Sequence, residues 1–194
     1  MRKLIVHNFV SLDGYFEGEG RNVMALPFDH AFSEYNAERL RTADTFLLGR
    51  TTFEGFQSYW PPVAGDESAP ELEREISRLN GAIQKVVVSD SLTPDELGAW
   101  QNTEIVKRGD AHDRIAELKR QPGGDILVFG SHTLWNDLLA AGLVDEVHLM
   151  IGAGAIGAGT PAFEGQPPVS LRLLDTRTWE GQGVVLVRYA VQPK

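Results

Sequence analysis

The sequence predicts an α/β fold: a mostly parallel central sheet flanked by helices on both faces, with a C-terminal antiparallel hairpin closing one edge. Three observations predict it. Short apolar stretches alternate with helical-period stretches between residues 29 and 151. Two of the apolar stretches, at 46–53 and 126–134, run straight into Gly and small hydroxyl residues that open a helix. The last two, at 171–176 and 183–191, have no helix between them and turn at Gly181-Gln182-Gly183, so they are expected to pair antiparallel.

Taken in order, Leu4, Ile5, Val6, Phe9 and Val10 predict a strand that ends at the turn pair Asp13-Gly14. Tyr15 and Phe16 then lead into a Gly-rich mobile loop at 17–20. Phe32, Tyr35, Asn36, Leu40 and Ala43 recur near helical spacing, which predicts a helix over 29–41. A fully buried strand is expected at 45–48 and a short helix at 51–56. The Pro, Gly, Asp and Ser content of 61–70 reads as a surface loop, followed by an amphipathic helix over 71–80. Strands are expected at 85–88 and 103–106, and a helix over 110–120 with Ile115 and Leu118 inward. Gly123-Gly124 turns the chain into a strand at 125–129, Ser131 reads as an N-cap for a helix over 134–141, Gly142 stops it, and a strand follows at 144–151.

Composition narrows the function. With 194 residues and no shift in composition along the chain, one domain over 1–194 is expected. The absence of Cys excludes disulfides, thiolate zinc sites, iron–sulfur clusters and a cysteine nucleophile, so redox chemistry here needs a borrowed cofactor. A net charge of -9 argues against nucleic acid and anionic membrane as partners. The first apolar run is interrupted by His7, Asn8 and Asp13, unlike a signal peptide, and a cytoplasmic location is expected.

The two Gly-to-helix junctions carry the chemistry. The first amides of a helix lack internal partners and sit at the positive end of its dipole, so two such openings predict a ligand with several phosphates. Arg50 follows Gly49 directly and adds a guanidinium fork suited to a phosphate monoester, which favours NADPH over NADH. The stretch 152–157 also fits G-x-G-x-x-G, but Pro161 stands where the required helix would continue, so it reads as a loop.

The segments Gly49-Arg50-Thr51-Thr52, Ser89-Asp90-Ser91-Leu92, Gly123-Gly124, Gly130-Ser131 and Leu143-Val144-Asp145-Glu146-Val147, in that order, resemble the dihydrofolate reductase-like superfamily. Within it the chain is most similar to the reductase half of the bifunctional riboflavin-pathway deaminase/reductase and its stand-alone bacterial relatives. Residues 10–15 and 152–163 also fit the stand-alone group, and the match covers almost the whole chain. The resemblance implies NADPH along the carboxyl ends of the sheet. It implies that Gly49, Arg50, Thr51 and Thr52 cradle a phosphate, with Arg50 on the 2′-phosphate. Ser89 matches the adenosine side, with Lys107 or Arg108 as a second basic contact. Gly130, Ser131, His132, Thr133 and Leu134 match the turn that receives the pyrophosphate and lets the nicotinamide approach; Gly130-Ser131 replaces the family's common Gly-Gly. From residue type alone, His132 reads as a surface residue.

Such a protein is expected to transfer hydride to an electron-poor C=N, C=O or C=C bond of a small heterocyclic substrate, supplying orientation and one proton. Asp13, just beyond the first strand, and Asp29, at the start of the first long helix, are the candidate catalytic acids. Phe16, Phe53, Phe56, Tyr59 and Trp60 are candidates for an aromatic wall, and Glu54 reads as a solvated charge. The substrate stays open. A ribosylamino-pyrimidine carries a phosphate, for which the N-terminal region offers only Arg21, Arg39 and Arg41; a folate or pterin is met by only the Leu-Pro-x-Asp remnant at 26–29. A non-catalytic NADPH-binding module is the alternative. A homodimer is expected from the resemblance and from the apolar run at 184–191, read as a sheet edge.

Overall fold

The computed structural model describes residues 1–165 and 169–192. Among these residues the elements run β1 (Leu4–Val10), β2 (Tyr15–Glu17), α1 (His30–Thr42), β3 (Ala43–Gly49), α2 (Arg50–Val63), α3 (Glu71–Ala82), β4 (Gln84–Val88), β5 (Thr103–Val106), α4 (Ala111–Arg120), β6 (Asp125–Phe129), α5 (His132–Ala140), β7 (Glu146–Ile151), β8 (Thr160–Pro161), β9 (Leu171–Thr178) and β10 (Val185–Val191). Eight strands form one sheet in the order β5-β4-β3-β6-β1-β7-β10-β9, and β2 pairs with β8 beside it. The six strands from β5 to β7 run parallel. The last two are antiparallel, β10 to β7 and β9 to β10, as the missing helix between them predicts.

Alternation along the strands sends side chains to two covered faces. Leu4 and Val6 of β1, Leu47 of β3 and Val128 of β6 pack with Ile115, Trp135 and Leu138 of α4 and α5. On the opposite face Phe46, Leu48 and Leu127 pack with Leu40, Phe53 and Ile76 of α1, α2 and α3. Phe9, Met150 and Leu186 continue that face and meet Ala31 and Tyr35 of α1. With both faces buried, the parallel strands read as near-continuous apolar runs, which is why they were visible in the sequence.

Two expectations are corrected. The helix predicted at 51–56 runs on to Val63, through Pro61 and Pro62, where a loop was expected. Proline removes two helical amides there, but Ser77 of α3 donates to the Trp60 carbonyl at 2.5 Å and holds the last turn. The apolar run at 184–191 is not a sheet edge either: β10 lies between β7 and β9, and β9 is the outer strand. The stretch 152–157 forms no helix, in agreement with the rejection of a dinucleotide fingerprint there.

Candidate cofactor and substrate cleft

Strands β3 and β6 are neighbours in register, Leu47 beside Val128, so their ends carry Gly49 and Gly130 to the same place. There the two junctions are stitched together. The Gly49 amide donates to the Ser131 hydroxyl at 3.0 Å, and the Ser131 amide donates to the Thr52 hydroxyl at 2.9 Å. The Gly130 amide donates to Asn8 Oδ1 of β1 at 2.8 Å. Gly130 has φ +61°, and a Cβ on it would stand 2.8 Å from Thr52 Cγ2, so the approach of α2 to this turn requires glycine. Ser131 precedes α5 as expected, but in the left-handed region, and its hydroxyl serves Gly49 rather than capping the helix. The Gly49 and Ser131 amides are therefore engaged within the protein. The amides that open α2, at Arg50, Thr51 and Thr52, and α5, at His132, Thr133 and Leu134, lack intrahelical acceptors, and neither helix has a side-chain N-cap bond.

The basic residues are more committed than their positions suggested. The Arg50 guanidinium donates to Glu54 at 2.6 Å, Ser91 at 2.8 Å and Glu96 at 2.8 Å. Glu54, expected as a solvated charge, is thus half of an ion pair within α2, while the bonds from Arg50 to Ser91 and Glu96 hold α2 to the segment after β4. The Ser89 hydroxyl is buried and accepts the amides of Ser91 and Leu92, which makes it the organiser of that turn. Lys107 donates to the Asp90 carbonyl at 2.8 Å, whereas the exposed Arg108 side chain keeps only a 3.6 Å approach to Asp90.

Asp13 is wired to the loop that follows β7. Its carboxylate accepts from the Ser11 hydroxyl at 2.6 Å and from the amides of Ile156 and Gly157 at 3.1 and 2.8 Å. The Ser11 hydroxyl bond, with those two amides, holds the carboxyl below its ordinary range and therefore ionised. Pairing of β2 with β8 ties the same two loops a second time. His132 then ties β8 to α5: its Nε2 lies 2.7 Å from the Pro161 carbonyl, and its side chain is 13% exposed, not the free surface residue expected.

On the α1 face the aromatic wall differs from the one expected. Phe53 is fully buried against Trp100, Tyr59 is exposed and Phe16 packs on His132. Phe56 and Trp60 border a small recess with Asn36 and Asn80 behind Phe129. The rings that pack on one another between α1 and the carboxyl ends of β1 and β6 are instead Phe9, Phe28, Phe32 and Phe129, each within 5.4 Å, centroid to centroid, of at least one other. Asp29 sits at the N-cap of α1 beside them, and its Oδ1 is buried with no hydrogen-bond partner among the described residues. His7, absent from the sequence-based candidates, lies under Phe32 and against Phe129. Its position between Ile5 and Phe9 on a buried strand was the available signal. Its strand neighbour His148 belongs to a buried chain in which Tyr35 Oη lies 3.0 Å from Nδ1, Nε2 lies 2.8 Å from Glu146, and Lys3 donates to Glu146 at 2.6 Å.

The model of the RibD C-terminal domain family matches residues 2–187. The uncharacterized protein YyaP of Bacillus subtilis (strain 168) is 30% identical over 191 residues, covering 97% of this chain and 94% of that protein. A putative riboflavin biosynthesis protein from Shewanella sp. PV-4 superposes with a TM-score of 0.71 at 21% identity, covering 98% of this chain and 99% of that one. Dihydrofolate reductase from Enterococcus faecalis, solved with NADP(H), superposes with a TM-score of 0.62 at 14% identity, covering 98% and 97%. The fold is dihydrofolate reductase-like. Among the described residues no helix is long and apolar enough to cross a membrane.

Proposed function

Because the chain belongs to the RibD C-terminal domain family, we propose that it is an NADPH-dependent reductase that transfers hydride to a small planar heterocycle. The observation that carries this reading is the meeting of Gly49 and Gly130 at the carboxyl ends of adjacent parallel strands, each at the mouth of a helix. A Cβ at Gly130 would push against Thr52, so this backbone is kept bare at the place where a dinucleotide is expected to approach. NADPH, when bound, supplies the hydride. Thr51, Thr52, Thr133 and Leu134 offer helix-opening amides and hydroxyls to its phosphates, with Gly49, Gly130 and Ser131 shaping the turn between them and Ser89 the turn on the adenosine side. Arg50 and Arg108 both touch the 89–91 turn and are assigned to the 2′-phosphate, with Lys107 supporting that turn. Asp29 is assigned to the substrate, since its buried unpartnered oxygen suits a ring N–H. Asp13 ties the loop after β1 to the loop after β7 and donates no proton, because its carboxylate accepts three hydrogen bonds.

Parallel titration with NADPH and NADH, followed by nicotinamide fluorescence, tests the reading. NADPH is expected to bind more tightly than NADH, and Arg50→Ala and Arg108→Ala to erode that preference; binding of neither cofactor overturns the reading. We also propose that two copies meet along β9, whose outer edge is unpaired among the described residues and whose Leu173 and Leu174 are exposed. Light scattering is expected to give a dimer, and a monomer at micromolar concentration contradicts it.

A further inference from the structure

We propose that Glu96 is a cofactor-specificity residue: its carboxylate holds the Arg50 guanidinium in the place of a 2′-phosphate, so NADPH must displace it and NADH need not. This rests on the reductase reading and adds to it a residue that works against the NADPH preference assigned to Arg50 and Arg108.

Every guanidinium nitrogen of Arg50 already donates: Nε to Glu54 at 2.6 Å, Nη1 to Ser91 at 2.8 Å and Nη2 to Glu96 at 2.8 Å. A guanidinium grips phosphate through two neighbouring N–H groups, either Nε with Nη2 or Nη1 with Nη2. Both faces share the nitrogen that Glu96 holds, so a phosphate on either one meets the Glu96 carboxylate. Glu54 is the looser of the two acids. It reaches Arg50 from one turn away on α2 and has no other hydrogen bond among the described residues.

Glu96 is fixed from behind. Its Oε2 accepts from the Thr93 amide at 2.8 Å and from the Thr93 hydroxyl at 3.0 Å, the two halves of a capping box, which leaves Oε1 for Arg50. Gln57 of α2 donates to the Glu96 carbonyl at 3.1 Å, and Gly98, at φ +52°, lies so near that a Cβ on it would stand 2.9 Å from Gln57 Nε2. The segment is therefore docked on α2 without the help of Arg50, and a pair that served only to fasten it would duplicate that contact. The Thr93 amide and hydroxyl, and then Arg50, hold the Glu96 carboxyl below its ordinary range, so it is an anion at neutral pH. The Arg50 side chain is 33% exposed and that of Glu96 42%, which makes the pair a weak one that a phosphate dianion can displace at modest cost. A ribose 2′-hydroxyl brings no charge and leaves it in place. The NADPH preference is then the net of Arg50 and Arg108 in favour and Glu96 against.

The test titrates the full chain with NADPH and NADH, read by nicotinamide fluorescence, and with adenosine 2′,5′-bisphosphate, read by calorimetry. Glu96→Gln is the informative variant, because glutamine keeps an acceptor for Thr93 in the capping box and removes only the charge. It is expected to raise the affinity for NADPH and for the bisphosphate about fivefold, equivalent to about 1 kcal/mol, with NADH affinity and thermal midpoint unchanged. Glu38→Gln removes the same charge where α1 pairs with Arg177 of β9, the opposite edge of the sheet from β5, and is expected to change none of the three affinities. In carbon-detected spectra of the wild-type protein, the Glu96 side-chain carboxyl resonance is expected to move on adding NADPH and to stay in place on adding NADH. An unchanged ratio of NADPH to NADH affinity in Glu96→Gln, a fall in its NADPH affinity, or a Glu96 resonance that does not move with NADPH overturns the proposal, and in each case wild-type NADPH binding leaves the reductase reading intact. Wild-type protein that binds neither cofactor removes both.

Discussion

The two ends of the parallel sheet are built differently. At the amino ends of the strands, buried charges are paired. Arg2 donates to the Gly124 carbonyl at 2.8 Å and to Thr45 at 2.7 Å and pairs with Asp44. Lys119 donates to the Leu143 carbonyl at 2.6 Å and meets Asp145 at 2.7 Å. The fully buried Lys85 reaches the Ile83 carbonyl at 2.9 Å and lies over the Trp100 ring. At the carboxyl ends the chain uses Gly, Ser and Thr, holds the two junctions together with neutral hydrogen bonds, and leaves His7 and Asp29 with unpaired atoms. The lesson is a division of labour: closure of polar groups at one end stabilises the fold, and openness at the other is what the proposed ligand site requires.

That division predicts separable mutational effects. Arg2→Ala strips partners from Thr45, Asp44 and the Gly124 carbonyl, so urea unfolding is expected to lose about 2 kcal/mol while NADPH affinity is unchanged; a matching loss of affinity argues against separate roles. At the other end, Gly130→Ala forces a side chain at φ +61° against Thr52 and is expected to cut NADPH affinity more than tenfold. Gly142→Ala is its control, with φ +72° and open space around it, and is expected to cost about 1 kcal/mol of stability with no effect on cofactor binding.

A smaller effect concerns pH. Burial lowers the Lys85 pKa to about 8 in the folded protein, below its unfolded value of 10.5. Below pH 8 both states hold the proton, so Lys85 adds no slope. Between pH 8 and 10.5 the unfolded chain holds more protons, so this group makes stability rise with pH. Lys85→Met is expected to remove that rise in denaturation curves compared across the interval; an identical slope in both proteins rejects it. The smallest change is expected from Asp13→Asn. With its pKa lowered, the Asp13 clamp is present above the ordinary carboxyl range and lost as pH falls through the lowered value. The substitution is expected to speed hydrogen exchange at Ile156 and Gly157 with little change in thermal midpoint.

Much of the fold was legible because its signals are local. Short continuous apolar runs at Phe46–Leu48 and Val86–Val88 fit strands buried on both faces, and Gly142 stops α5 with a positive φ. Strand order was not legible, because β6 enters between β1 and β3 through pairings 80 or more residues apart. The extent of α2 was hidden because Ser77, which holds its last turn, lies on another helix. The candidate cofactor residues were marked by Gly followed by hydroxyls, a backbone signal. Arg50 was marked too, but its carboxylate partners at Glu54 and Glu96 depend on how the 89–96 segment folds back. His7 left no trace beyond one polar letter in an apolar strand, since an unpaired atom is a property of its three-dimensional neighbours.

Hydrogen exchange with and without saturating NADPH compares the two ends of the sheet in one experiment. Slowed exchange is expected at Arg50–Thr52 and His132–Leu134, with Gly124, Leu143 and Asp145 at the amino ends unchanged. Protection confined to the amino ends, or no protection at either junction, contradicts a cofactor site built where Gly49 and Gly130 meet.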